Sequence, residues 1–250
     1  MTANQSAVHE PIFALQNVVL DRRSAGTSFQ LAVPNLSIHQ GEKIALIGES
    51  GCGKSTLLDL LTFIAQPSTA DVFQFHPSST TTAVAIDQCW RRRRLNQLGD
   101  LRKRHIGYVM QTGGLLPYLT VYDNINLSRR ILNQPQDSSV EELAAQLGLT
   151  RHLTKRPTML SVGERQRIAI GRALAHQPAI VIADEPTASV DPFAAEKIMS
   201  LLIELAEARH ITVIIASHAW RHIKRLQLRR LAHHTQRSAD GLLAQTVVNG

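Results

Sequence analysis

Residues 48–56 read GESGCGKST, with three glycines packed in front of one lysine. Glycine loses more chain freedom on folding than any other residue, so such a run marks backbone that bends sharply or approaches something closely. The spacing matches G-x-x-x-x-G-K-[ST], set after a short apolar run (42–47) and before a leucine-rich one. In that setting the backbone N–H groups of Gly48, Glu49, Ser50, Gly51, Cys52 and Gly53 turn into one concavity, and the N-terminus of the next helix adds partial positive charge. Such a nest attracts phosphate oxygens. Lys54 then reaches the outer phosphates, the Ser55 hydroxyl takes a place on Mg²⁺, and Thr56 completes the motif. The competing reading is a ligand-free strand-to-helix turn. Cys52 reads as a tolerated small side chain, with a redox role as the alternative.

Further along, residues 180–185 read IVIADE, an apolar strand that ends in two carboxylates. Downstream of a phosphate loop, Asp184 is suited to hold Mg²⁺ through water and Glu185 to polarise an attacking water. A capping pair for the next helix is the other use of two acids there. Residues 160–167, LSVGERQR, open a helical stretch.

These side chains need a scaffold. Short buried-type strands at 42–47, 105–110, 180–183 and 211–216 alternate with helical stretches at 55–65, 163–176 and 192–209. Alternation of this kind predicts a mostly parallel sheet with helices on both faces, and ligands at the carboxyl ends of its strands. Residues 12–19 and 29–38 read as earlier strands joined by a Gly/Ser turn at 24–28, and 72–75 as another short strand. The stretch 113–160 has a different texture, with Leu115-Leu116-Pro117 followed by helical periodicity over 140–149.

The totals agree with a single α/β unit: 250 residues, 44% hydrophobic, 4% aromatic. No apolar run approaches the roughly 18 residues of a membrane span. The opening MTANQSAVHEPIF lacks a secretory pattern, and two cysteines form no framework, which fits a reducing cytosol. The net charge of +7 is concentrated in Arg91, Arg92, Arg93 and Arg94, in Arg102, Lys103 and Arg104, and in Arg221, Lys224, Arg225, Arg229 and Arg230. Solvated faces and contact with anionic headgroups or an acidic partner are the open readings. Nucleic acid is disfavoured, since no helix-turn-helix or zinc pattern accompanies the charge.

Taken together, the phosphate loop, the Asp-Glu pair and LSVGE resemble the ATP-binding cassette (ABC) ATPases, whose signature reads LSGGQ. Other elements follow in family order: Gln111 resembles the Q-loop glutamine, Ala188-Ser189-Val190-Asp191 the D-loop and His218 the switch histidine. The resemblance implies a P-loop NTPase fold of ABC type. Its parts are a RecA-like, mostly parallel sheet (1–112 and 162–250), an N-terminal antiparallel β subdomain and an inserted helical subdomain (about 113–161), all in one domain over 1–250. It implies ATP and Mg²⁺ as ligands. Glu185, His218 and Gln111 become catalytic, Ser55, Gln111 and Asp184 metal-associated. Ser161, Gly163, Glu164 and Asp191 contact the ATP of a second copy, so a homodimer completes two sites.

Four features depart from the pattern. Val162 replaces a signature glycine, Glu164 replaces Gln, and the adenine-stacking aromatic expected near Arg22 or Arg23 is missing, which leaves an arginine plane or Phe29 to serve. The interval from Lys54 to Gln111 is also longer than usual. The string LLPYLTV…NI after Gln111, with the ERQR signature, resembles the LolD/MacB-type branch. That branch implies a peripheral subunit on the inner face of the bacterial inner membrane, docked on an integral membrane permease-type partner through Leu115, Leu116, Pro117 and Tyr118. Its work is lipoprotein handling or efflux. A signalling or mechanotransmission switch is the alternative, and a soluble translation or repair ATPase a third reading.

Overall fold

The computed structural model describes residues 11–24, 27–78, 81–218, 226, 228–238 and 243–250. Arg221, Lys224 and Arg225 lie outside the described residues. The chain opens with two long strands, β1 (Pro11–Ser24) and β2 (Thr27–His39), paired antiparallel along nearly their whole length. Then come β3 (Lys43–Ile47), α1 (Lys54–Leu61), β4 (Val72–Phe75), β5 (Val84–Ala85), α2 (Ile86–Arg91), α3 (Leu95–His105) and β6 (Ile106–Val109). Two helices, α4 (Val121–Ile131) and α5 (Ser139–Gln146), and two single 3₁₀ turns, Thr150–His152 and Pro157–Met159, separate β6 from α6 (Val162–Leu174). The remainder is β7 (Ile180–Asp184), α7 (Pro192–Glu207), β8 (Thr212–Ser217), β9 (Arg229–Arg230), β10 (Ala232–Arg237) and β11 (Leu243–Asn249).

Five strands form one sheet in the order β6-β7-β8-β3-β9, and every pairing in it is parallel. Ile44, Val181, Ile182, Ile214 and Ile215 are fully buried. That is the near-continuous apolar pattern required of strands covered on both faces. The order places the ends of β3, β7 and β8 side by side, and the phosphate loop and the Asp184-Glu185 pair leave the sheet there.

The second sheet has six strands in the order β10-β11-β2-β1-β4-β5. It is antiparallel except where β11 joins β2 in parallel, Gln245 opposite Gln30. The expected N-terminal antiparallel subdomain is thus completed by strands from the far end of the sequence. Phe13, Phe63, Phe73 and Phe75 fill the space beneath it, with ring centroids 4.9 to 6.5 Å apart. A second core lies around α4–α7 and the inner face of the parallel sheet.

The stretch holding the arginine run forms helices. Arg93 turns the chain at φ 52° between α2 and α3. Arg91 is tied to Asp87 and the Ala70 carbonyl, whereas Arg92, Arg93 and Arg94 are exposed.

Candidate functional site

The loop after β3 meets α1 at Gly53, which sits at φ 90° with the Phe29 ring against it; a methyl there would lie 2.7 Å from Phe29 Cζ. Left-handed backbone and a ring at contact distance together demand glycine. Gly48 has a different reason. A methyl on it would fall 2.3 Å from Nε2 of His233, on β10, and 2.6 Å from Cys52 Sγ. The glycine that opens the loop is therefore required by the imidazole and thiol packed against it. Burial, and then the neighbouring Lys54 ammonium, hold the His233 imidazole below its ordinary range.

Lys54 is buried and curls back over the loop, donating to the carbonyls of Gly48 (2.7 Å) and Glu49 (3.0 Å). Its Nζ lies 3.5 Å from Glu185 Oε1. Glu185 holds φ 48°, a strained backbone state for a residue with a side chain, and its N–H donates to the Ala216 carbonyl. That bend aims the carboxylate between two partners. Oε2 accepts the His218 backbone N–H at 3.2 Å and lies 2.8 Å from His218 Nδ1. Burial, then the adjacent Glu185 charge, push the Asp184 carboxyl above its ordinary range, opposed by the neighbouring Ser55 hydroxyl. Asp184 Oδ1 is buried without a hydrogen-bond partner.

These groups line one cleft of about 680 Å³, together with Glu49, Ser50, Gly51, Thr56, Gln111, Arg22 and Phe29. Arg22 and Phe29 are cross-strand partners on β1 and β2, and Arg22 is anchored to Asp59 of α1 at 2.7 Å. Cys52 lies beneath the loop as a free thiol.

Ser161, Gly163, Glu164 and Asp191 are not in that cleft. They line a second cavity of about 560 Å³ with Val162, Ser189 and Lys197. Ser161 caps α6 through a reciprocal box: its hydroxyl accepts the Glu164 N–H, and Glu164 Oε2 accepts the Ser161 N–H at 2.8 Å and the Ser161 hydroxyl at 2.7 Å. Those bonds, the hydroxyl's first, hold the Glu164 carboxyl below its ordinary range. Asp191 caps α7 by accepting the Ala194 N–H.

The sequence predicts most of these residues, though not Lys197, and the structure sorts them into two cavities with no shared lining residue; the predicted Gly48 and Cys52 line neither. Sequence reading also misses His233. A histidine in the polar string AHHTQR carries no local sign that it will pack against a loop 185 positions earlier.

A family model described as ABC transporter matches residues 31–188, more than half of the chain. The chain belongs to the ABC transporter family. This ABC cassette is 36% identical over 214 residues to an uncharacterised ABC transporter ATP-binding protein of Mycobacterium tuberculosis, covering 84% of this chain and 82% of that one. It is 36% identical over 195 residues to the lipoprotein-releasing system ATP-binding protein LolD of Legionella pneumophila, covering 77% and 81%. Among solved structures it resembles the ATP-binding cassette MJ0796 in a dimeric post-hydrolysis state bound to ADP and Pi. The TM-score there is 0.71, with 29% identity over 84% of this chain and 89% of that one. The cassette is an ATPase subunit of LolD-like type. No helix among its described residues is long and apolar enough to cross a membrane.

Proposed function

We propose that this cassette works as a homodimer that closes on two ATP molecules and transmits the closure to an integral membrane partner in lipoprotein handling or efflux. The observation that carries the reading is the separation of the two cavities. One holds the phosphate loop and the acidic pair, the other the signature and D-loop, so one chain supplies two unlike halves. A second copy, turned by a two-fold axis, sets each half against its complement. The dimeric state of MJ0796, similar over most of the chain, supports this arrangement.

In the proposed site the loop N–H groups and Lys54 bind the phosphates. Lys54 leaves its carbonyl partners to do so. Glu185 takes the proton of the attacking water, with His218 and Lys54 fixing its two oxygens, and Gln111 faces the same space. Ser161 and the Gly163 N–H meet the outer phosphate of the partner's nucleotide. The oxygen donors Ser55 and Asp184, with the orphaned Asp184 Oδ1, fit Mg²⁺, which prefers hard oxygen ligands. When bound, Mg²⁺ offsets phosphate charge. The turn after Gln111 is the proposed dock for the membrane partner: Leu115 packs on the core beneath it, and Tyr118 is 67% exposed. The cassette then sits peripherally on the inner face of the inner membrane.

The test is Glu185→Gln. The amide keeps an acceptor for the His218 N–H but cannot take a proton, so turnover falls by about 10²–10⁴ while ATP binding persists. Gel filtration with ATP and Mg²⁺ then shows a stable dimer. A variant that stays monomeric, or that turns over at the wild-type rate, refutes the reading.

A further inference from the structure

The signature of this cassette contains an anion where an anion must bind. Glu164 faces the same cavity as Ser161, and its Oε2 accepts the Ser161 hydroxyl proton. A hydroxyl that donates to a carboxylate cannot donate to a phosphate at the same time. An uncompensated carboxylate beside the hydroxyl also repels the phosphate.

Two side chains link this part of α6 to the helical segment before it. Arg167 donates to the Leu147 carbonyl at the end of α5, at 2.8 Å, and its charge also acts on Glu164. His152, in the turn Thr150–His152, places Nε2 3.2 Å from Glu164 Oε1, with both side chains more than three-quarters buried. The other imidazole nitrogen, Nδ1, is buried without a partner, so the ring's polar contact is made on the Glu164 side. The order is His152, Glu164, Ser161: one carboxylate oxygen held by the helical segment, the other by the signature hydroxyl.

We propose that His152 is a positioning residue for the signature, holding Glu164 Oε1 so that, when a phosphate arrives, the carboxylate keeps its charge on the imidazole and gives up the Ser161 hydroxyl it now accepts. The proposal rests on the two-copy ATP site put forward above. It makes the turn at 150–152 part of the ATPase machinery, although it touches no nucleotide. A rearrangement of the helical segment would withdraw Nε2, leave the carboxylate held on the Ser161 hydroxyl and switch the signature off.

The experiment is steady-state ATP hydrolysis by the full chain, in two backgrounds. His152→Ala lowers kcat about fivefold with KM for ATP within about twofold, because the nucleotide is bound by a P-loop that has not changed. His152→Gln, which restores an N–H at a similar reach, recovers most of the rate. In a Glu164→Gln background the carboxylate charge is gone, and His152→Ala then changes kcat by less than about twofold. If His152→Ala melts below the assay temperature, His152→Gln against His152→Leu carries the same comparison, with Gln active and Leu slow. An unchanged kcat, or an equal loss in both backgrounds, overturns the proposal and leaves the two-copy site standing. Failure of Glu185→Gln to dimerise with ATP removes the two-copy site, and the proposal with it.

Discussion

Gly48→Ala isolates the packing of the C-terminal strands against the nucleotide loop. Gly48 has an ordinary backbone, unlike Gly51 and Gly53, which hold positive φ. Alanine there carries no conformational strain, and any cost comes from contact. The new methyl lies 2.3 Å from His233 Nε2 and 2.6 Å from Cys52 Sγ, against 3.4 Å or more for ordinary contact. The ring must therefore retreat by 3.4 − 2.3 = 1.1 Å and the sulfur by 0.8 Å. Overpacking of this size costs about 1–3 kcal/mol. For a chain of this length that lowers the melting midpoint by about 2–4 °C per kcal/mol. Removing the ring should relieve most of it. In a His233→Ala background the penalty of Gly48→Ala drops by at least about 1 kcal/mol, a coupling that a double-mutant cycle by urea or thermal melts resolves. Equal penalties in both backgrounds, or a penalty under about 0.5 kcal/mol, would show that β10 does not press on the loop.

Three further outcomes are expected. Lys54→Ala removes a charge-assisted phosphate contact of about 1.5–3 kcal/mol, so calorimetry should find ATP bound about 10- to 100-fold more weakly. Asp184→Asn relieves a carboxylate whose ionised form burial disfavours, so the nucleotide-free protein melts about 1–3 °C higher while magnesium-dependent phosphate release falls about a hundredfold. Burial lowers the His176 imidazole from 6.5 to about 4, so the fold favours the neutral ring. Its contribution is complete above pH 6.5 and is lost as pH falls toward 4, worth up to about 3 kcal/mol. His176→Leu should flatten the fall in melting midpoint over that interval, and an unaltered slope would contradict the assignment.

The elements carrying the site are legible locally. The strand ahead of the phosphate loop, the strand that ends in Asp184 and the helix after LSVGE each show their own period and their own boundary. Ser161 and Asp191 are helix caps, and cap chemistry is written within three residues. Long-range placement is what the sequence hides. β10 reads as a polar string, and it joins the sheet only through β11, whose other partner, β2, lies more than two hundred residues away. Glycine marked Gly48 as a place of close approach, but the approaching group, His233, has no local signature. Helices α2 and α3 were missed because a run of arginines has weak apolar periodicity. Ile86, Cys89 and Leu98 anchor them in the core, with Trp90 and Leu101 packed at its edge.

The parallel seam between β11 and β2 also bears on biosynthesis. Thr246 opposite Leu31 and Val247 opposite Ala32 join positions more than two hundred residues apart in the order of synthesis. A nascent chain lacking residues 243–249 exposes an unpaired β2 edge, and one lacking His233 has a loop without its underside. The phosphate loop thus acquires its His233 contact only after β10 has been made.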